Sequence, residues 1–87
     1  MKGDNAMDAV KAHKYSFANK KALEKEKKCG CFYCGAVFSP EEIDEWVKDV
    51  PEWTAICPYC GIDSVIGESV GYPLTKEALE IMHKKWF

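Results

Sequence analysis

Two copies of one short pattern, Cys-x-x-Cys-Gly, limit this chain more than any other feature. The first is Cys31-Phe32-Tyr33-Cys34-Gly35 and the second is Cys57-Pro58-Tyr59-Cys60-Gly61, with the 22 residues 35–56 between the two cysteine pairs. Both contain Tyr-Cys-Gly, so the halves read as local pseudo-repeats. A Cys-x-x-Cys turn brings two sulfurs to one side of a tight knuckle. Glycine directly after the second cysteine tolerates positive φ and lets the turn close. It also leaves backbone N–H groups free to point at the sulfurs and offset their charge. Four soft thiolates presented in this way suit a tetrahedral ion. The expected ligands are Cys31, Cys34, Cys57 and Cys60, and the expected ion is one zinc. A rubredoxin-like iron site would use the same four residues. Four protein ligands close the coordination shell, which makes the site structural, because catalytic zinc keeps a position for water or substrate.

The fifth cysteine, Cys29, stands outside this scheme. As a ligand in place of Cys31 it would break the knuckle spacing. Its plain reading is a small buried hydrophobe beside the site. Its sharper reading is a free thiol that traps an oxidised Cys31 and ejects the metal, a thiol or metal redox sensor. His13 and His83 are weaker ligand candidates, since four better-spaced thiols already satisfy zinc. His83 is expected at a helix end beside Met82 and Trp86, and His13 is expected to be exposed.

With 87 residues, one domain is the default. That length sits only just above the range in which small cores need a staple. Eleven aromatic residues argue for a packed core rather than disorder. No run approaches a membrane span, and the first residues hold no apolar stretch typical of a signal peptide. A cytoplasmic location is the expectation, and in that reducing setting clustered cysteines read as metal ligands before disulfides. Charge is divided unevenly. Residues 1–28 carry eight lysines and four acids, whereas residues 29–87 carry four lysines and ten acids, and the chain has no arginine. Sequence-specific nucleic-acid readers lean on arginine and on strongly basic faces. Nucleic acid is therefore a disfavoured partner. If it binds, the Lys20–Lys28 segment is the expected contact, and its lysines otherwise read as a solvated face.

Local signals predict the elements. Residues 1–15 read as a flexible or weakly helical segment and residues 16–87 as a single zinc-binding domain. A helix is predicted over residues 16–28, capped by Ser16 or Asn19, with Phe17, Ala22 and Leu23 as a thin apolar face. A second is predicted over residues 39–50. Ser39 and Glu42 form a capping box, Pro40 opens the helix, Ile43, Trp46, Val47 and Val50 make an i, i+3, i+4, i+7 stripe, and Pro51 stops it. Residues 52–57 and 63–70 read as two strands that pair as a hairpin around the second knuckle, with Gly71-Tyr72-Pro73 as a turn. A last helix follows from Leu74. Thr75 caps it, Leu74 and Leu79 staple its entry, and Leu79, Met82 and Trp86 form its buried stripe.

No Gly-rich phosphate loop is present. Ser39 and Ser64 have no partnering base at a recognisable spacing, and Asp63 reads as a turn cap rather than a functional carboxylate. Nothing in the chain composes a catalytic constellation, so no enzyme is expected.

Taken together, the strings CGCFYC, FSPEEIDEW, CPYCGIDSVIG, GYPLT and MHKKWF resemble a set of small bacterial cytoplasmic proteins to which no activity is assigned. The likeness covers most of residues 29–87 and, more loosely, the segment from His13. The paired knuckles are also similar to zinc-ribbon and rubredoxin-like modules. The resemblance implies zinc at Cys31, Cys34, Cys57 and Cys60 and implies no activity. The expected fold is α+β: a small four-cysteine zinc-ribbon-like hairpin centre with two to three packed helices. The expected function is a zinc-stabilised protein-interaction or adaptor module. Trp46, Trp53, Trp86 and Phe87 either bury against one another or mark the partner surface.

Overall fold

A computed structural model describes residues 8–48 and 52–87. The expectations for residues 1–7, and for Val50 and Pro51, lie outside the described residues. The chain forms α1 (Ala9–Ala12), α2 (Lys20–Leu23), β1 (Cys29–Cys31), β2 (Val37–Phe38), β3 (Trp46–Lys48), β4 (Trp53–Ala55), β5 (Val65–Gly67) and α3 (Lys76–Trp86). Three 3-10 turns, His13–Ser16, Pro40–Glu42 and Glu68–Val70, join them. The class is α+β. No helix among the described residues is long and apolar enough to cross a membrane.

A three-stranded antiparallel sheet, in the order β2-β1-β5, forms the centre. Cys29 pairs with both Phe38 and Gly67, and Cys31 pairs with Val65. Both faces of β1 and β5 are buried. Since successive side chains alternate between faces, Cys29, Cys31 and Val65 enter one cluster with Leu23, Phe38, Ile43, Ala55 and Cys57. Ile66 enters the other, with Ala12, Phe32, Tyr72, Leu79 and Met82. Gly30 occupies the α3 side of β1. A Cβ there would meet Leu74 Cδ2 at 3.1 Å and Leu79 Cδ1 at 3.3 Å, so the missing side chain lets the start of α3 lie close to the sheet.

The start of α3 forms as its sequence predicts. Thr75 accepts a 3.1 Å hydrogen bond from the Ala78 N–H, and Leu79 and Met82 are fully buried. Trp86 departs from the expected stripe. It is 38% exposed, lies against His13 with ring centres 3.9 Å apart, and donates from Nε1 to the Ala9 carbonyl. It thereby ties α1 to the end of α3.

Three expectations are corrected. The helix predicted over residues 39–50 is a single 3-10 turn followed by β3. The capping box does form, with Ser39 accepting from the Glu41 N–H and Glu42 accepting from the Ser39 N–H. Ile43 then turns extended, at φ −75° and ψ 119°. Its neighbours Trp46 and Val47 are of the aromatic and β-branched kinds that suit strands, and β4 supplies their backbone partners in the register Trp46–Ala55 and Lys48–Trp53. Among the stripe residues Ile43 is buried, Trp46 is half-buried and Val47 is exposed, so no single helical face is covered.

The hairpin predicted between residues 52–57 and 63–70 is absent. β4 pairs with β3, and β5 pairs with β1. The helix predicted over residues 16–28 contracts to the one turn Lys20–Leu23. Asn19 stands at its N-cap position but makes no capping bond. Its buried carboxamide donates to the Val65 carbonyl at 2.8 Å and to the Tyr15 carbonyl at 3.0 Å, and accepts from the Ala55 N–H at 3.1 Å. One side chain thus links β4 to β5 where the expected hairpin would have placed a backbone ladder. The preceding residue, Ala18, has φ +52°, and its N–H donates to Thr54 Oγ1 at 2.7 Å.

Candidate metal centre

Each knuckle is a local backbone structure, and the two are nearly superposable in their hydrogen bonding. In the first, Gly35 N–H donates to the Cys31 carbonyl at 2.8 Å and Cys31 N–H donates to the Ala36 carbonyl at 2.9 Å. In the second, Gly61 N–H donates to the Cys57 carbonyl at 2.9 Å and Cys57 N–H donates to the Ile62 carbonyl at 3.0 Å. Gly35 and Gly61 sit at φ +82° and +79°, where a side chain is strained. The N–H of each knuckle tyrosine points at the first sulfur: Tyr33 to Cys31 Sγ and Tyr59 to Cys57 Sγ, both at 3.4 Å.

The fold sets the knuckles face to face. β1 ends in Cys31, and its pairing with β5 carries the chain just past the second knuckle to the same place. Phe32 N–H donates to the Ser64 carbonyl at 3.0 Å and fastens one knuckle to the exit of the other. The two knuckle tyrosines are held from outside. Tyr33 packs edge-on against Phe87, with centres 4.8 Å apart, and lies beside His83. Tyr59 lies over Phe38 and donates its hydroxyl to Glu42 of the capping box.

The result brings together all four predicted ligands. The sulfurs of Cys31, Cys34, Cys57 and Cys60 lie within 4.8 Å of one another. Across the knuckles, Cys31 Sγ is 3.6 Å from Cys60 Sγ, and Cys34 Sγ is 3.8 Å from Cys57 Sγ. A tetrahedron with metal–sulfur bonds of about 2.3 Å has edges of about 3.8 Å. The donor set therefore fits a four-coordinate ion of that size.

Electrostatics differ from sulfur to sulfur. Burial pushes the Cys31 thiol up, but hydrogen bonds from Ser64 and from the Cys34 and Tyr33 N–H groups outweigh it, so Cys31 ends below the ordinary thiol value. Ser64 is buried, and its hydroxyl lies 2.9 Å from Cys31 Sγ, within reach to donate to that sulfur once it is ionised. Cys57 and Cys60 are both pushed up, chiefly by burial. Without a metal, part of the centre resists ionisation. A divalent cation would oppose that cost by binding the thiolates directly.

Ser64 was not singled out by sequence as part of the site. Its only signal is position, four residues past Cys60 at the entry to β5. Cys29 belongs to the core and not to the four-sulfur group. It is fully buried, its thiol donates to the Phe38 carbonyl at 3.5 Å, and burial pushes its pKa up to about 12. His13 lies tilted against Trp86 and His83 stacks on Phe87, and neither joins the sulfurs. Asp63 is exposed, and its carboxylate takes no hydrogen bond among the described residues, so it does not cap the turn.

Comparison with protein-family models, with curated proteins and with solved structures finds no match to this chain. The reading of the centre therefore rests on its own geometry.

Proposed function

We propose that Cys31, Cys34, Cys57 and Cys60 hold one zinc ion as a structural centre, and that the domain so stabilised is a protein-interaction or adaptor module. The observation that carries the first half is the convergence of four sulfurs within 4.8 Å of one another from two matched knuckles, with two cross-knuckle pairs at tetrahedral edge spacing. Zinc is favoured over iron as the common occupant of four-thiolate structural sites. Four thiolates leave no open position for a reacting group, which supports a structural role over catalysis. Binding of a structural zinc is worth roughly 10–16 kcal/mol, against a domain stability of about 5–15 kcal/mol. Metal and fold are then inseparable. Native mass spectrometry is expected to give one zinc per chain, and full chelation is expected to abolish the near-UV circular dichroism. A folded signal that survives complete metal removal would refute the structural role, and stoichiometric iron would refute the metal assignment.

The interaction half is supported by aromatic surface. Trp53 and Phe87 are exposed at 40% and 58%, and Trp86 at 38%. Trp46 is more enclosed, with Lys20 Nζ 4.6 Å from its ring centre. Pull-downs from the native host should recover a partner with wild type and lose it with Trp53→Ala or Trp86→Ala. Equal recovery by wild type and variants would count against the surface.

Nucleic acid remains the second reading. The observations lean away from it, since Lys20, Lys21 and Lys28 each face a glutamate (Glu24, Glu52 and Glu68) at 3.5–3.9 Å. An affinity for nucleic acid that falls steeply with salt would revive it.

A further inference from the structure

The four sulfurs are unequal in their access to solvent. In each knuckle the first cysteine is buried and the second faces outward. Cys31 and Cys57 are buried, Cys60 is half-buried and Cys34 is exposed. The buried pair is also engaged by donors: Ser64 and the Tyr33 N–H approach Cys31, and the Tyr59 N–H approaches Cys57. Hydrogen bonding draws charge from a thiolate and lowers its nucleophilicity. Cys34 instead borders an open groove of about 270 Å³ between the first knuckle and α3, lined further by Lys76, Glu80 and His83. A small polar molecule entering this groove meets Cys34 before any other sulfur. The sulfur of Cys57 lies only 3.8 Å behind it, on the opposite knuckle.

We infer that Cys34 is the sulfur at which peroxides attack the centre, and that its oxidation closes a disulfide across the knuckles to Cys57 and discharges the metal. This rests on the zinc site proposed above and adds to it a defined point of entry. The Cys34 thiolate displaces hydroxide from the peroxide, so an S–O bond forms and the O–O bond breaks. The Cys57 thiolate then attacks the Cys34 sulfur, forming the S–S bond and expelling the hydroxyl group as hydroxide. Two thiolates lose two electrons. The peroxide, here hydrogen peroxide, is reduced to two waters with uptake of two protons. Two of the four ligands are gone, and Cys31 and Cys60 alone hold zinc too weakly to retain it. Cys29, sealed in the core against Phe38, takes no part.

Trypsin cleavage after Lys28, Lys48 and Lys76 places Cys29, Cys31 and Cys34 in one peptide and Cys57 and Cys60 in another. Protein verified to contain zinc is treated with limiting hydrogen peroxide, blocked, digested and sequenced by mass spectrometry. The expected product is the two peptides joined through Cys34 and Cys57, appearing in step with released zinc. Any other pairing, a bond to Cys29, or zinc loss without a disulfide overturns the inference. Limited N-ethylmaleimide labelling of the same zinc-loaded wild-type protein needs no variant. Its first adduct is expected at Cys34, and a first adduct on any other cysteine overturns the assignment of the entry point. Protein that takes up no zinc at the outset would refute the zinc site itself, a result separate from these.

Discussion

Asn19 donates a 2.8 Å hydrogen bond to the carbonyl of Val65, 46 residues along the chain. The same carboxamide accepts from Ala55. The strands on either side of the second knuckle are therefore joined by a side chain and not by a ladder. Because Val65 pairs with Cys31, this link also bears on the placement of the four-cysteine group.

Asn19→Ala should remove all three bonds and leave the Ala55 N–H and the Val65 carbonyl buried without partners. An unsatisfied buried polar group costs about 1–3 kcal/mol, so a loss of roughly 2–4 kcal/mol is expected. Urea denaturation of the zinc-loaded protein measures it. A loss below about 0.5 kcal/mol would mean that the clasp contributes nothing.

Ser64→Ala should leave the fold in place and weaken the metal. Groups that hydrogen-bond a ligand typically account for a factor of about 10–100 in affinity. Competition against a chromophoric chelator should show zinc binding at least about tenfold weaker, with an unchanged circular dichroism spectrum. Wild-type affinity in this variant would assign Ser64 a packing role only.

Gly35→Ala and Gly61→Ala test the knuckle backbone separately from its packing. A Cβ at either position meets nothing within 4 Å, so any cost is conformational. A left-handed residue other than glycine costs about 1–2 kcal/mol. Both variants should lose about that much, and asparagine, which tolerates this region, should lose less. By contrast, a Cβ in Gly30→Ala would crowd the side-chain ends of Leu74 and Leu79, which must give by a few tenths of an ångström. Its cost should fall when Leu74 is shortened to alanine, whereas the knuckle variants should not respond to that change.

Tyr72 supplies an alkaline limit. Its hydroxyl donates to the Ala78 carbonyl, and burial raises its pKa above the ordinary value of 10. The folded state thus holds this proton more tightly than the unfolded state. The contribution is full below about pH 10 and is lost as pH rises through the folded-state value. Tyr72→Phe should cost roughly 1 kcal/mol at neutral pH. It should then lose less than wild type as pH rises above about 10 when zinc-loaded proteins are compared by thermal melts. Parallel alkaline losses in the two proteins would reject the assignment.

What the sequence determined by itself is what a few consecutive residues can enforce. Each Cys-x-x-Cys-Gly knuckle closes through bonds reaching no further than five residues. The Ser39–Glu42 box and the Thr75 cap likewise need only their own neighbours. These features were legible because their stabilising partners are adjacent in the chain. The course of residues 43–48 was not. Ile43, Trp46 and Val47 fit a helical stripe as well as a strand, and the choice fell to β4, whose backbone was free to pair. Asn19 could be read as a cap because its local chemistry suits one, but its partners, Ala55 and Val65, are 36 and 46 residues away. Ser64 and Cys29 show the same division. A hydroxyl becomes a thiolate's partner, and a thiol becomes part of a core, only when distant strands meet around it. Tertiary structure decided these points because strand pairing and burial are properties of two segments at once, and neither segment carries them alone.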